Sequence, residues 1–103
     1  MPDIKKLAKD VWPYVVEMRR DFHRHPEPSY HEFRTTDRIA EELDKMGIPY
    51  RRFEPTGLLG EIVGGKPGKC IALRADIDAL SVKENTGLEY ASENEGFMHA
   101  CGH

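Results

Sequence analysis

The chain has 103 residues and 39% apolar side chains, room for one modest soluble domain or part of one. Fifteen basic and eighteen acidic side chains give a net charge of -3 with the signs interspersed. No basic field is therefore available for a nucleic-acid backbone, and nucleic acid is excluded as an expected partner. No apolar run approaches the roughly 20 residues that a bilayer span requires, so no membrane partner is expected either.

At the amino terminus, Met1-Pro2-Asp3-Ile4-Lys5-Lys6 lacks the apolar core and cleavage site of a signal peptide, which makes a cytoplasmic location the default expectation. Ile4, Leu7, Val11, Val15, Met18 and Phe22 then recur at steps of three and four, one stripe of an amphipathic helix. Asp3 is placed to cap its start. Pro13 lacks an N–H for the preceding turn, which predicts a kink, or a short first helix and a second with Pro13 in its opening turn. The helix is expected to stop before Pro26, which biases His25 away from helical dihedrals. Ser29-Tyr30-His31-Glu32 has the spacing of a capping box, with Ser29 as cap and Glu32 reaching back. Phe33, Ile39, Ala40, Leu43 and Met46 supply an apolar side and Gly47 a terminator, predicting a second helix over 30–46.

After Gly47 the period changes. Residues 49–53, Leu58 to Val63 and Cys70 to Ala75 read as strands, the last two around the turn-forming stretch Gly64-Gly65-Lys66-Pro67-Gly68-Lys69. That stretch lacks the order of a phosphate loop and is read as a connecting turn. Cys70-Ile71-Ala72-Leu73 is uninterrupted apolar sequence, as expected of an inner strand covered on both faces. Cys70 is expected there as a small buried hydrophobe. Residues 84–97 are read as irregular with one short strand. Helix, helix, three strands and a ligand-rich loop suit the opening of a layered α/β domain, with a sheet completed by residues beyond 103.

The carboxyl-terminal Gly96-Phe97-Met98-His99-Ala100-Cys101-Gly102-His103 carries the strongest chemical signal. Cys101 offers a thiolate and His103 an imidazole, both suited to a borderline cation such as zinc. Gly102 between them lets the backbone bend so that both donors face one ion. Zinc commonly takes three or four protein ligands, and His99 and Asp76 are candidates for a third. Three other readings stay open on spacing alone: packed or polar side chains without function, a bridge from Cys101 to Cys70, and a metal-free thiol nucleophile paired with a histidine.

Arg74-Ala75-Asp76-Ile77-Asp78 follows the apolar strand, where ligands gather in α/β proteins. An aspartate there can orient a metal-bound histidine by accepting its second ring proton. The alternative is a surface turn with Arg74 paired to a carboxylate. In His23-Arg24-His25-Pro26-Glu27, His23 and His25 do not share a helix face. A structural or pocket-lining role is expected for these residues and for His31, rather than metal ligation.

Four stretches in order carry a resemblance: Arg19-Arg20-Asp21-Phe22-His23-Arg24-His25-Pro26-Glu27; Glu32 with Thr35 or Thr36; Ala72-Leu73-Arg74-Ala75-Asp76-Ile77-Asp78-Ala79-Leu80; and Gly96 to His103. From about residue 15 onward the chain resembles the M20 family of metallopeptidases. Within it, the chain is most similar to the branch of N-acyl-amino-acid, hippurate and auxin-conjugate amidohydrolases. The resemblance implies the amino-terminal part of a layered α/β/α metallohydrolase catalytic domain, incomplete in this chain. Residues 1–103 would be the amino-terminal portion of that domain, with the lid or dimerisation domain absent.

The resemblance further implies two divalent ions, manganese or zinc, with Cys101 bridging them and His103 as another ligand. Asp76 matches the aspartate of the family's His-x-Asp element, whose histidine is Arg74 here, and Ser81 stands where a proline is usual. The paired glutamates, general base and ligand, and the remaining ligand histidines would lie beyond residue 103, so no catalytic residue is assigned within it. The expected reaction of the full-length protein is metal-dependent cleavage of the amide bond in a small N-acyl amino acid or related conjugate, by a chain able to form a homo-oligomer. The alternatives are a truncated, non-catalytic metal-binding remnant and a metal-free Cys-His thiol hydrolase; chelation would abolish activity in the metalloenzyme and spare the thiol enzyme.

Overall fold

The Asp3 side chain accepts the backbone N–H of Lys6 at 3.1 Å and opens α1, Ile4–Arg24, in the computed structural model, which describes residues 2–102. The helix runs through Pro13 without a break, where the sequence predicted a kink or two helices. Pro13 costs the bond to the carbonyl of Lys9, but Lys9 is exposed and water can take that acceptor. The helix ends at His25, whose N–H reaches the Phe22 carbonyl at 3.2 Å. The anticipated apolar stripe is present, yet only its carboxyl-terminal end packs: Ile4, Leu7, Val11 and Val15 stay exposed, and Phe22 is half-buried.

The second helix, α2, spans Phe33–Met46 and not 30–46. Ser29 does not cap it, and Glu32 at the cap position makes no side-chain cap bond. Tyr30 sits at φ 65°, a left-handed turn that keeps residues 29–31 out of the helix. The capping group is Glu27, whose carboxylate accepts the N–H groups of Arg34 at 3.0 Å and Thr35 at 2.6 Å. These are two of the donors that a helix start leaves without an intrahelical partner. Gly47 ends the helix at φ 69°, with its N–H on the Asp44 carbonyl and that of Ile48 on the Leu43 carbonyl. A left-handed residue there suits glycine, which carries no Cβ to clash.

The two helices are tied by Glu42. It accepts the Tyr14 hydroxyl of α1 at 2.6 Å, the Lys45 ammonium at 3.1 Å and the Arg38 guanidinium. These donors, Tyr14 first, hold its carboxyl down at about 2.

β1, Tyr50–Arg52, and β2, Leu58–Gly60, form an antiparallel pair in which Tyr50 faces Gly60 and Arg52 faces Leu58. Both strands are shorter than the predicted 49–53 and 58–63. Beyond them the expected inner strand at 70–75 is not formed. Ile71 is 85% and Leu73 96% exposed, and Cys70 is exposed as well. A segment apolar on both faces gains from strand pairing only when flanking strands and covering layers exist. Among the described residues nothing pairs with it.

The chain is thus a small α/β arrangement whose sheet has two strands. Ala40, Ala79 and Pro26 are the buried apolar side chains among the described residues, whereas His23, Glu32, Thr35, Thr36 and Glu42 are buried and polar. Buried polar groups persist where hydrogen bonds satisfy them. The inside of this chain is therefore a polar junction, located where α1 exits toward α2.

Candidate metal centre

That junction gathers residues from both ends of the sequence. The N–H of Ala79 donates to the Glu27 carbonyl at 2.8 Å, and Pro28 and Ala79 form an isolated parallel bridge. Leu80 and Met98 exchange two backbone bonds of 2.9 and 3.0 Å, closing residues 80–98 into a loop. Glu93 donates its N–H to the Arg24 carbonyl at 2.7 Å, and the Asn94 amide donates to the Pro26 carbonyl at 2.9 Å. The segment before Cys101 is therefore strapped to the exit of α1.

Side chains reinforce the strap. His23 is 5% exposed, and its Nε2 lies 2.9 Å from Glu84 Oε1. Glu84 also accepts the Thr86 hydroxyl and, at 2.8 Å, the Ser92 N–H. The Thr86 bond chiefly, then those of Ser92 and His23, hold its carboxyl below the usual carboxylate range despite burial. The Tyr90 ring meets His23 edge-on at 5.8 Å, and the Arg20 guanidinium covers it at 4.4 Å, within reach of a cation–π attraction.

A cavity of about 560 Å³ opens beside this junction, with Phe22, Ile39 and Ile77 as apolar wall and Asp76, His99 and Cys101 on its lining. Three candidate donors named from sequence therefore face one space. Burial keeps the His99 imidazole below its ordinary pKa, and the nearby His23 adds to the effect. Its Nε2 is buried with no hydrogen-bond partner among the described residues. An imidazole with a buried nitrogen lacking a partner among the described residues, lining the same cavity as a thiol, is donor chemistry that suits a borderline cation. Cys101 is exposed at the rim. Its expected partner His103 lies outside the described residues, so the Cys101–His103 pair is not seen together. Among the described residues no three His, Cys, Asp or Glu side chains converge closely enough to hold an ion.

Asp76 is paired with Arg74, Nη2 to Oδ1 at 2.6 Å, the surface-turn arrangement that the sequence left open. Cys70 points its thiol toward the Ile71 carbonyl at 3.8 Å and forms no disulfide. His25 bonds the Asp21 carbonyl at 2.9 Å, and His31 packs edge-on against Phe33 at 5.9 Å. These contacts are of the structural kind that the sequence suggested for His25 and His31. Sequence reasoning missed Glu84 because its partner His23 is 61 positions away.

The pattern of peptidase family M20/M25/M40 matches residues 72–103, the stretch that carries Asp76, His99 and Cys101. Two curated relatives extend the match over nearly the whole chain. Thermostable carboxypeptidase 1 of Saccharolobus solfataricus is 45% identical over 97% of this chain and 26% of its own length. The N-acyl-L-amino acid amidohydrolase of Geobacillus stearothermophilus is 40% identical over 98% of this chain and 28% of its own length. Over nearly its whole length the chain is similar to members of the M20 peptidase and amidohydrolase family.

The crystal structure of a dinuclear metal binding peptidase of the M20 family from Bacillus subtilis superposes with a TM-score of 0.85 at 44% identity. That superposition covers 91% of this chain and 27% of the other. A putative aminohydrolase from methicillin-resistant Staphylococcus aureus gives 0.88 at 44% identity, over 94% of this chain and 26% of the other. The α/β arrangement is therefore that of part of an M20 peptidase fold. The chain spans about a quarter of the length of the relatives it matches.

Proposed function

We propose that residues 1–103 are the amino-terminal portion of the catalytic domain of a metal-dependent hydrolase that cleaves the amide bond of N-acyl amino acids or related conjugates. The observation that carries the reading is the common cavity lined by Asp76, His99 and Cys101 within the stretch that matches the family pattern. A carboxypeptidase and an N-acyl-amino-acid amidohydrolase among the relatives support it, because both names describe hydrolysis of an amide next to an amino acid.

Cys101 and His103 would hold the cation, manganese or zinc and two ions in the full-length protein, and the B. subtilis relative described as dinuclear supports that number. Bound divalent cations polarise a carbonyl and lower the pKa of water, the two aids that a poorly electrophilic amide needs. The chain's own residues prepare the place. Phe22, Ile39 and Ile77 line it with apolar surface. Burial lowers the His99 pKa from its ordinary value. The strap from Glu27, Arg24 and Pro26 to residues 79–98 fixes the segment from which Cys101 projects.

The test is an assay of the full-length protein on N-acetyl amino acids and hippurate, before and after chelation and with manganese or zinc restored. Release of free amino acid that stops on chelation and returns with metal supports the reading. Activity untouched by chelation would favour a thiol hydrolase, and no hydrolysis of any acylated amino acid by metal-loaded protein would leave a binding remnant.

A further inference from the structure

We infer that the buried pair His23–Glu84 is a positioning device for the Cys101 turn: it sets how tightly cation is held without touching it. The inference rests on the metal-site reading above. Its basis is the degree of burial and the wiring. The two side chains are 6% and 4% exposed and 2.9 Å apart. An ionised carboxylate only accepts, so His23 Nε2 carries a hydrogen and donates it to Glu84. Glu84 collects two further donors, Thr86 and the Ser92 N–H, and so organises its own loop as well as the contact to α1. Removing Glu84 leaves the buried His23 Nε2 without its acceptor, and removing His23 takes from the buried Glu84 its one donor from α1; the loop relieves either loss by moving.

The loop has a short lever to the site. The Leu80–Met98 backbone pair closes it, and Cys101 follows Met98 by three positions. Glu84 sits beside the other links between the loop and the exit of α1, because its donor Ser92 adjoins Glu93 and Asn94, which bond the Arg24 and Pro26 carbonyls. A displaced Glu84 therefore loosens the loop at the point where it is held to α1 and, through the Leu80–Met98 bridge at the loop's base, the segment that leads to Cys101. Partners outside the ligand shell typically change metal affinity by about 10- to 100-fold.

The experiment measures manganese or zinc affinity of the full-length protein by chelator competition, beside its thermal midpoint. Glu84→Ala and His23→Ala are each expected to weaken affinity about tenfold or more, and the double variant to be no worse than the weaker single. Glu84→Gln, which can still accept from His23 and Ser92, is expected to stay within about threefold of wild type. Tyr14→Phe, which cuts the remote tie to Glu42, is expected to lower the midpoint and leave affinity unchanged.

Wild-type affinity in Glu84→Ala overturns the pair's role, as does an equal affinity loss in Tyr14→Phe or in Glu84→Gln. If Glu84→Ala does not fold, Thr86→Ala replaces it, with a smaller loss expected and unchanged affinity overturning the role. A wild-type protein that binds no metal overturns both this role and the site reading. A loaded wild type beside an equally loaded Glu84→Ala overturns the role alone.

Discussion

Glu27 and Thr35 stand eight positions apart, and one carboxylate oxygen of Glu27 accepts both the N–H of Thr35 at 2.6 Å and its hydroxyl at 2.7 Å. The other oxygen takes the Arg34 N–H. A single side chain from the exit of α1 thus serves as the start signal of α2, and Thr35 is almost wholly buried beneath it. The Glu27 backbone carbonyl accepts the Ala79 N–H at 2.8 Å, so Glu27 joins α1, α2 and the site segment at one point.

Glu27→Ala is expected to lower stability by about 1–3 kcal/mol, the range for losing a helix cap and hydrogen bonds to a charged acceptor. Glu27→Gln should lose less, since one amide oxygen still accepts from Thr35. Denaturant unfolding of the full-length protein measures it; an unchanged midpoint in Glu27→Ala would mean that another group caps α2.

Glu42 gives a prediction about acid. Its carboxyl is held near 2, against an ordinary 4.5, by Tyr14 first and then Arg38 and Lys45. A folded pKa below the unfolded one means that the stabilisation is fully present above about pH 4.5 and is lost as pH falls through about 2. Tyr14→Phe removes the leading donor, so the Glu42 titration should move upward and the α1–α2 tie should weaken at a higher pH. Carboxyl NMR titration of wild type and variant reads this directly. An unmoved Glu42 in Tyr14→Phe would remove the hydroxyl from the account.

Cys101→Ala in the full-length protein should cut bound metal and activity together, each by at least about tenfold, as expected when a thiolate ligand is lost from a borderline-metal site. Elemental analysis of purified wild type and variant is the check. Equal metal content in the two would end the ligand assignment.

The isolated 103-residue chain should retain no stoichiometric manganese or zinc after dialysis. Its described residues bring no three donors together, and fewer than three protein ligands hold zinc poorly. Equilibrium dialysis followed by metal analysis measures this, and one tightly bound ion per chain would contradict it.

Local pattern carried α1 and α2 well. Their apolar periodicity, Asp3 at one end and Gly47 at the other depend on neighbours within a turn or two, where the backbone's own hydrogen bonding decides the outcome. The same reasoning failed at Ser29, whose capping-box spacing was genuine. Glu27, held in place by the turn at Tyr30, reached the helix donors instead. It failed again at Cys70–Ala75, where composition named a buried strand. Burial depends on which layers surround the segment, and those are not among the residues described.

The segment bearing Cys101 could be recognised without coordinates, because a thiol, a glycine and imidazoles within five positions are a chemical statement that needs no fold. Motif order along the chain likewise pointed to the family. What only the tertiary structure decided is the company these residues keep: His23 with Glu84, Glu27 with Thr35, and Asp76 and His99 on the cavity that Cys101 borders. Those pairings join positions separated by up to 61 residues. A linear pattern records residue type and near spacing, whereas hydrogen bonds across such distances arise only once helices and loops have been packed and buried polar groups compete for partners.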